Sequence, residues 1–428
     1  MDANFNTVNW AATSTIYEVN IRQYTDEGTF AAFQKHLPRL QSMGVDILWL
    51  MPITPISKLK RKGSLGSYYA CSSYTKINPE MGDENDFLNL VKAAHALGMK
   101  VIIDWVANHT GAEHEWMASH PDWFTRDDQG NFTERNGWDD VVDLNYANDF
   151  MRKALIASMQ YWVRDFKIDG FRCDMAHLVP LDFWREARKA CEVIQPLYWL
   201  AECDVPEYHA VFDISYAWNW MHISEKLIKG ESKVHDIYNV LHTYEEYPQG
   251  ALKLYYTSNH DENSWNGTEY EKYQSAAKPW AVFTFTWKGV PLIYSGQELP
   301  NHKRLQFFDK DALHWNHAPA LQDFYTCLTQ FRKQSKALTQ GETFILPTST
   351  NGVLAYLRYD KEETVLVVLN VSNEPHKVKL SHAHLAGEFT HLFSQLSYSF
   401  QGEPSFELLP GDFFVYYKTQ NSLGNGNG

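Results

Sequence analysis

The stretch FMRKALIASMQYWVRDFKIDGFRCD, residues 150–174, decides the fold. Residues 150–166 read as a helix, and IDGFRC (168–173) reads as a short strand running into Asp174. Side chains alternate along a strand, so Arg172 and Asp174 share one face and Cys173 takes the other, where packing is its role. The same alternation repeats in both directions. Upstream lie TIYEVNI (15–21), DILWLMP (46–52) and VIIDWV (101–106); downstream lie YWLAEC (198–203), VFDIS (211–215), LYYTSN (254–259) and PLIYSG (291–296). Between the first two runs, Gly28–Met43 carries Phe30, Phe33, Leu37, Leu40 and Met43 at three- and four-residue steps, a helical period. Glu84–Leu97 and Leu181–Ile194 read as further helices. Eight strands separated by helices predict an α/β fold, a parallel (β/α)8 TIM barrel. A doubly wound open sheet is the alternative, and nothing like a GxGxxG turn supports it.

Two segments depart from a bare barrel. After the third strand, 111–146 is polar and Trp-rich and reads as a short insertion. Beyond about Thr339 the period becomes strand-like, in Leu354–Tyr359, Thr364–Val371, Lys377–Leu380, Phe389–Phe393 and Phe413–Tyr417. These predict a C-terminal antiparallel β-sandwich. The expected division is therefore a barrel over 1–110 and 147–338, an insertion over 111–146, a sandwich over 339–420 and a flexible tail over 421–428.

The net charge of -14 argues against nucleic acid or an anionic membrane as partner. No apolar run approaches a membrane span. Five scattered cysteines form no metal-like or disulfide-like spacing and read as reduced thiols. The opening MDANFNTVNWAATST lacks a signal-peptide pattern, which predicts a cytoplasmic protein, or a secreted or periplasmic one if a signal has been removed. The aromatic content, 15 Trp, 24 Tyr and 24 Phe, is mostly core, yet such rings also hold flat hydroxylated ligands.

In a (β/α)8 barrel the chemistry sits where strands end at their C-terminal side. Strand 3 ends with Asp104, Asn108 and His109; strand 4 with Arg172 and Asp174; strand 5 with Glu202; strand 7 with His260 and Asp261. Each residue alone has an ordinary explanation as a helix cap or ion pair. Together at one mouth they demand another. Converging carboxylates are costly unless cations offset them or one is protonated. Arg172 is expected to keep Asp174 ionised as a nucleophile, and the apolar YWLA before Glu202 to keep that acid protonated. One bare and one loaded carboxyl is what retaining glycosidic cleavage requires, with the pair about 5–5.5 Å apart. Asp261 is placed to stabilise an oxocarbenium-like transition state, and His109 and His260 to bind sugar hydroxyls.

DWVANHT (104–110), GFRCDMAHL (170–178), LAECD (200–204) and TSNHDEN (257–263) resemble the four signature segments of the α-amylase family of glycoside hydrolases, in order and on the right strands. VVDLN (141–145) resembles its fifth segment and GVPLIYSGQE (289–298) its strand-8 segment. The resemblance implies Asp174 as nucleophile, Glu202 as acid/base, Asp261 as transition-state stabiliser, and Arg172, His109 and His260 as contacts to the sugar at the cleavage point. In GSYYACSSY (66–74), Tyr69 matches the tyrosine that stacks on that sugar. The implied activity is retaining hydrolysis of α-1,4-glucosidic bonds in starch-type glucans or maltooligosaccharides, with an α-glucosidase or 4-α-glucanotransferase as the alternative.

The chain departs from the family in places. Many members carry Lys-His three and four residues after the nucleophile; here His177 and Leu178 stand there, and His177 is a candidate contact on the leaving-group side. Asn108 matches a structural-calcium position, with Asp139, Asp140 and Asp143 as helpers. A lone Asn makes a poor calcium site, so no metal and no cofactor are expected. Trp116, Trp123, Phe124 and Trp138 are candidates for the groove wall or for the insertion's own core. Two other classes are weighed: a non-catalytic barrel, which would be expected to lose carboxylates that this chain keeps, and a metal-dependent hydrolase using Asp104, His109, Asp174 and His260.

Overall fold

The computed structural model describes residues 5–315 and 318–419, so the expected tail over 421–428 lies outside the described residues. Eight parallel strands close into a barrel: β1 (Ile16–Val19), β2 (Ile47–Leu50), β3 (Lys100–Trp105), β4 (Gly170–Cys173), β5 (Tyr198–Ala201), β6 (Ile214–Tyr216), β7 (Leu252–Tyr255) and β8 (Val290–Tyr294). Each pairs with its neighbour in sequence, and β1 closes the ring on β8 with Ile16 opposite Leu292. The strands are short and buried on both faces because helices cover the outside and side chains fill the inside. All eight strands expected from the sequence are present.

Helices Glu84–Ala96, Asp149–Phe166 and Leu181–Glu192 match expectation within a few residues. Gly28–Met43 does not run as one helix: it splits into Phe30–Gln34, capped by the Thr29 hydroxyl, and Leu37–Met43. Pro38, which has no N–H to give and opposes a continuing turn, sits in the first turn of the second piece. The apolar period survives the break, and Phe30, Phe33, Leu37, Leu40 and Met43 are all buried. Between β5 and β6 only the 3-10 turn Pro206–Ala210 stands where a helix would.

The segment after β3 is clasped at its base, where His109–Gly111 pairs antiparallel with Val141–Asp143 and puts His109 opposite Asp143. The C-terminal part is two antiparallel sheets. The larger runs β9 (Glu342–Ile345), β10 (Val353–Tyr359), β11 (Glu363–Asn370), β16 (Phe413–Thr419), β13 (Ala386–His391) and β14 (Ser397–Gln401); the smaller pairs β12 (His376–Lys379) with β15 (Ser405–Leu408). Leu357, Leu366, Val368, Phe389 and Phe406 fill the space between them. The sheet docks on the barrel through Tyr356, whose hydroxyl meets Thr286 Oγ1 at 2.6 Å and whose ring meets Trp287 edge-on.

One glycine sets the spacing of the catalytic strands. A Cβ on Gly170, at the start of β4, would stand 2.1 Å from the Tyr198 carbonyl oxygen of β5. No flexible side chain can yield there, because the obstacle is backbone. Gly170→Ala is therefore expected to destabilise the fold by about 1–3 kcal/mol and to lower kcat by displacing Arg172 and Asp174. Urea unfolding and kinetics on the same preparation check both; unchanged stability would show that β4 and β5 can part without cost.

Candidate active site

The strand ends converge on one guanidinium. Arg172 is wholly buried. Its Nη1 donates to Asp104 Oδ1 at 2.8 Å and to Asp174 Oδ1 at 3.0 Å, and its Nε donates to the Tyr216 hydroxyl at 3.1 Å. Its Nη2 lies 2.8 Å from Glu202 Oε2, a charge contact rather than an aligned hydrogen bond. Trp49, Tyr69 and Tyr216 surround it with ring faces. Register makes this possible: Arg172 stands beside Asp104 of β3 on one flank and Leu200 of β5 on the other.

The turn after β4 wraps round Glu202. Met175 has φ +39°, a left-handed conformation costly for a side chain of its size. In that conformation its N–H donates to Glu202 Oε2 at 2.8 Å, while the Ala176 N–H takes the Glu202 carbonyl at 3.1 Å. This corrects one expectation: the Glu202 carboxyl does not face an oily wall. The apolar run before it packs within the barrel, and the acid itself meets a cation and an N–H.

The third carboxylate, Asp261, opens on the cleft with a side chain 44% exposed. His260 Nε2 lies 3.3 Å from Asp261 Oδ2, and the Trp265 indole N–H donates to Asp261 Oδ1 at 3.2 Å. On the other side of its ring, His260 Nδ1 meets the buried Glu18 Oε1 at 2.5 Å. The Tyr69 hydroxyl stands between His260 Nε2 (2.7 Å) and Asp104 Oδ2 (3.0 Å). A cavity of about 550 Å³ opens over these groups, lined by Tyr69, His109, Asp174, Glu202 and Asp261, with Lys62, Trp138, Trp265, Phe307 and Phe308 further out. A cavity of about 630 Å³ lies on the barrel flank beside the helix-free β5–β6 connection, but the Arg188–Asp213 pair in its wall is already satisfied and none of the signature carboxylates reaches it.

Two family models match the sequence: alpha amylase, catalytic domain, over residues 4–136 and 119–335, and maltogenic amylase, C-terminal domain, over residues 343–415. The chain belongs to the α-amylase family. Among solved structures it is similar to a noncanonic maltogenic alpha-amylase, AmyB, from Thermotoga neapolitana, with 31% identity and a TM-score of 0.88 over 96% of this chain and 99% of that one. An alpha-amylase from Lactobacillus plantarum shares 29% identity with a TM-score of 0.87, covering 95% and 99% of the two chains. Alpha-amylase MalA from Haloarcula japonica is 28% identical over 87% of this chain, which spans 57% of that protein's length. The fold is that of the family, and the signature segments fall at the strand ends where the family resemblance puts them.

Of the residues named from sequence, Asp174, Glu202, Asp261, Arg172, His260, Tyr69 and His109 come together. His177 does not line the cavity; it lies on the turn after Asp174 with its ring against Trp218. Of the insertion aromatics only Trp138 reaches the cavity, edge-on to His109. Trp116, Trp123 and Phe124 pack on Tyr74, His120 and Phe132 and form the insertion's own core. Cys173 is buried on the face away from the site, its thiol pushed up by burial. Sequence reading missed Glu18 and Trp265. An acid inside the apolar run of β1, and an indole four residues beyond Asp261, were the signals available.

Charge in the α-amylase-type site is divided unevenly. Burial pushes the Asp174 carboxyl well up and Glu202 beside it adds to this, while Arg172 pulls it down without prevailing. The expectation that Arg172 keeps Asp174 bare is thus corrected: one guanidinium is spread over three acids, and burial prevails over it at Asp174. Asp261 behaves oppositely. Desolvation works against its charge, but His260 holds it below the usual carboxylate range. Burial alone would discharge His260; Asp261 and Glu18 outweigh it and hold the imidazolium well above its ordinary range. Burial pushes Glu18 up, yet with two acids flanking the ring the proton belongs on His260. His109, buried without an acid, is pulled down to about 4 and is neutral.

A native His260 pKa above the unfolded value gives stability that is complete below the unfolded value, about 6.5, and fades as pH rises through the native one. Glu18→Gln removes one of the two acids. The basic limb of the kcat/KM profile is expected to move to lower pH, and the loss of thermal stability to be larger at pH 6 than at pH 9. An unmoved basic limb would show that Glu18 does not set the charge of His260.

Proposed function

We propose that the chain hydrolyses α-1,4-glucosidic bonds of maltooligosaccharides and accessible starch-type glucans with retention of configuration. The observation that carries this is two acids on one guanidinium, Asp174 through Nη1 and Glu202 through Nη2, with an ionised Asp261 across the cavity. The reaction needs an ionised Asp174 and a protonated Glu202, and a proton that burial favours on Asp174 can pass to Glu202 once sugar is bound. Positive charge developing at the anomeric carbon favours the carboxylate that faces it, so the proton settles on Glu202. Glu202 gives it to the leaving oxygen as Asp174 forms the glycosyl ester; Glu202 then takes a proton from the water that cleaves the ester. Asp261, held by His260 and Trp265, stabilises the oxocarbenium-like charge on the way. Tyr69 offers its ring to the sugar, and His109, neutral, offers a hydrogen bond.

Alpha-1,4-glucan:maltose-1-phosphate maltosyltransferase from Picrophilus torridus, 25% identical over 80% of this chain, bears the name of a transferase. A glycosyl ester can be resolved by a sugar hydroxyl as well as by water, and the ratio of transfer products to hydrolysis products measures which dominates.

Glu202→Gln is expected to lower kcat on maltoheptaose by about 10²- to 10⁴-fold, yet to recover much of that loss on an α-maltosyl fluoride, whose leaving group needs no proton. Asp174→Asn is expected to fail on both substrates. NMR of the first product should show the α-anomer; β-anomer first would exclude the covalent route.

The reading is also metal-independent. Arg135 reaches Asn108 Oδ1 at 3.3 Å and Asp143 Oδ2 at 3.0 Å, so a protein cation already sits on one oxygen of each, while Asp143 Oδ1 is buried without a hydrogen-bond partner. Asp139 and Asp140 are paired with Lys62. Among the described residues no set of three or more acids, histidines or cysteines is grouped to hold a metal. Dialysis against EDTA is expected to leave Tm and rate unchanged; a fall in Tm that calcium restores would overturn this.

A further inference from the structure

A continuous rim of loops borders one side of the cavity. The loop after β2 stands at its centre. Lys62 Nζ binds Asp139 Oδ1 at 2.7 Å and Asp140 Oδ1 at 3.1 Å of the insertion after β3. Two residues on, the Ser64 N–H donates to Asp309 Oδ1 at 2.7 Å and the Leu65 N–H to the Phe308 carbonyl at 2.9 Å, both in the loop after β8. Gly63 packs so tightly on Phe308 that an added Cβ would lie 2.5 Å from the phenylalanine Cβ, at φ +59°. The β8 loop is braced in turn by the Gln23 amide, which donates to the carbonyls of Gln306 and Asp309 at 2.7 and 2.9 Å. Phe307 and Phe308 then meet the half-exposed Trp265 after β7, at ring separations of 5.2 and 5.7 Å. The insertion after β3 and the loops after β2, β8 and β7 thus form one wall.

Topology fixes which end of the substrate this wall meets. The strand order 1-8-7-6-5-4-3-2 places β1, flanked by β2 and β8, directly across the barrel from β5. Glu202 ends β5, and the proton donor faces the leaving group. The wall therefore lies on the side of the retained sugar, beyond Tyr69, whose ring is stacked 6.3 Å from Phe307. A glucan extended beyond the retained sugar would meet Lys62 and Asp140, which line the cavity and are paired with each other. The cavity beside this wall, about 550 Å³ and open to solvent, has the size of a site for a short ligand.

The geometry points to a chain-end enzyme: the rim of Lys62, Asp139, Asp140 and Phe308 makes the site accept only non-reducing ends, so that it releases one short product of fixed length and leaves internal bonds uncut. The inference rests on the hydrolysis proposed above, and it assigns the specificity to residues outside the catalytic constellation.

The test uses a chromogenic maltoheptaoside in two forms, one with a free non-reducing end and one with that end blocked by a 4,6-O-ethylidene group. The native enzyme is expected to cleave the free form at least 100-fold faster by kcat/KM. The double variant Lys62→Ala/Phe308→Ala is expected to narrow that ratio at least tenfold by gaining rate on the blocked form. Equal rates of the native enzyme on both forms would overturn the closed end and leave the glycosidase reading standing. An unchanged ratio in a folded double variant would overturn the assignment of the rim. Cleavage of neither form would overturn the hydrolysis reading and this inference with it.

Discussion

The site depends on a single cation shared by three acids. Removing carboxylates from water costs several kcal/mol each unless charge and hydrogen bonds replace the lost hydration. Asp104, Asp174 and Glu202 lie at the ends of three adjacent strands, and Arg172 on the middle one contacts all three. A lysine would not serve, because only the planar guanidinium presents several donors in fixed directions and keeps its charge when buried. The sharing has a consequence: one positive charge cannot keep three acids ionised. Burial accordingly holds Asp104 and Asp174 above the usual carboxylate range although Arg172 pulls both down.

Around that cation the structure places groups whose task is orientation. The strained backbone of Met175 aims an N–H at Glu202. Trp49 and Tyr69 both donate to Asp104 Oδ2, leaving its other oxygen for Arg172. Glu18, buried in β1, keeps charge on His260 beside Asp261. A barrel suits this arrangement because register, rather than loop conformation, sets the neighbours. A slip of one residue between β3 and β4 would turn Arg172 away from the mouth and leave the acids unpaired.

The barrel was legible because its strands are short apolar runs ended by charged residues, a pattern that survives even where a helix breaks at Pro38. The C-terminal sheets were legible in part. β10, β11 and β16 are apolar enough to read, whereas β14, SYSFQ, is exposed along most of its length and gives no alternation. The three acids, Arg172 and His260 were found because strand alternation fixes which face they share. The charge of Asp174 was misjudged, since it depends on burial and on Glu202 beside it as well as on Arg172. Trp116, Trp123 and Trp138 look alike in sequence; only the fold of the insertion separates the one that reaches the cavity.

The same division separates reaction from specificity. Groups proposed to perform the reaction sit at or just beyond the ends of strands whose hydrogen-bonded neighbours hold them, so their spacing in sequence carries the family signature. Groups that bound the cavity sit on the connections after β2, β3, β7 and β8 and meet one another only through pairs such as Lys62 with Asp139 and Asp140. Loops tolerate substitution where a closed barrel does not. Lys62, Asp140 and Phe308 line the cavity without contacting Asp174 or Glu202 by any hydrogen bond or ion pair among the described residues. Relatives of 25–28% identity bear the names of amylase, cyclomaltodextrinase and maltosyltransferase, a spread of names that side chains bordering the cavity could produce without a change at the strand ends.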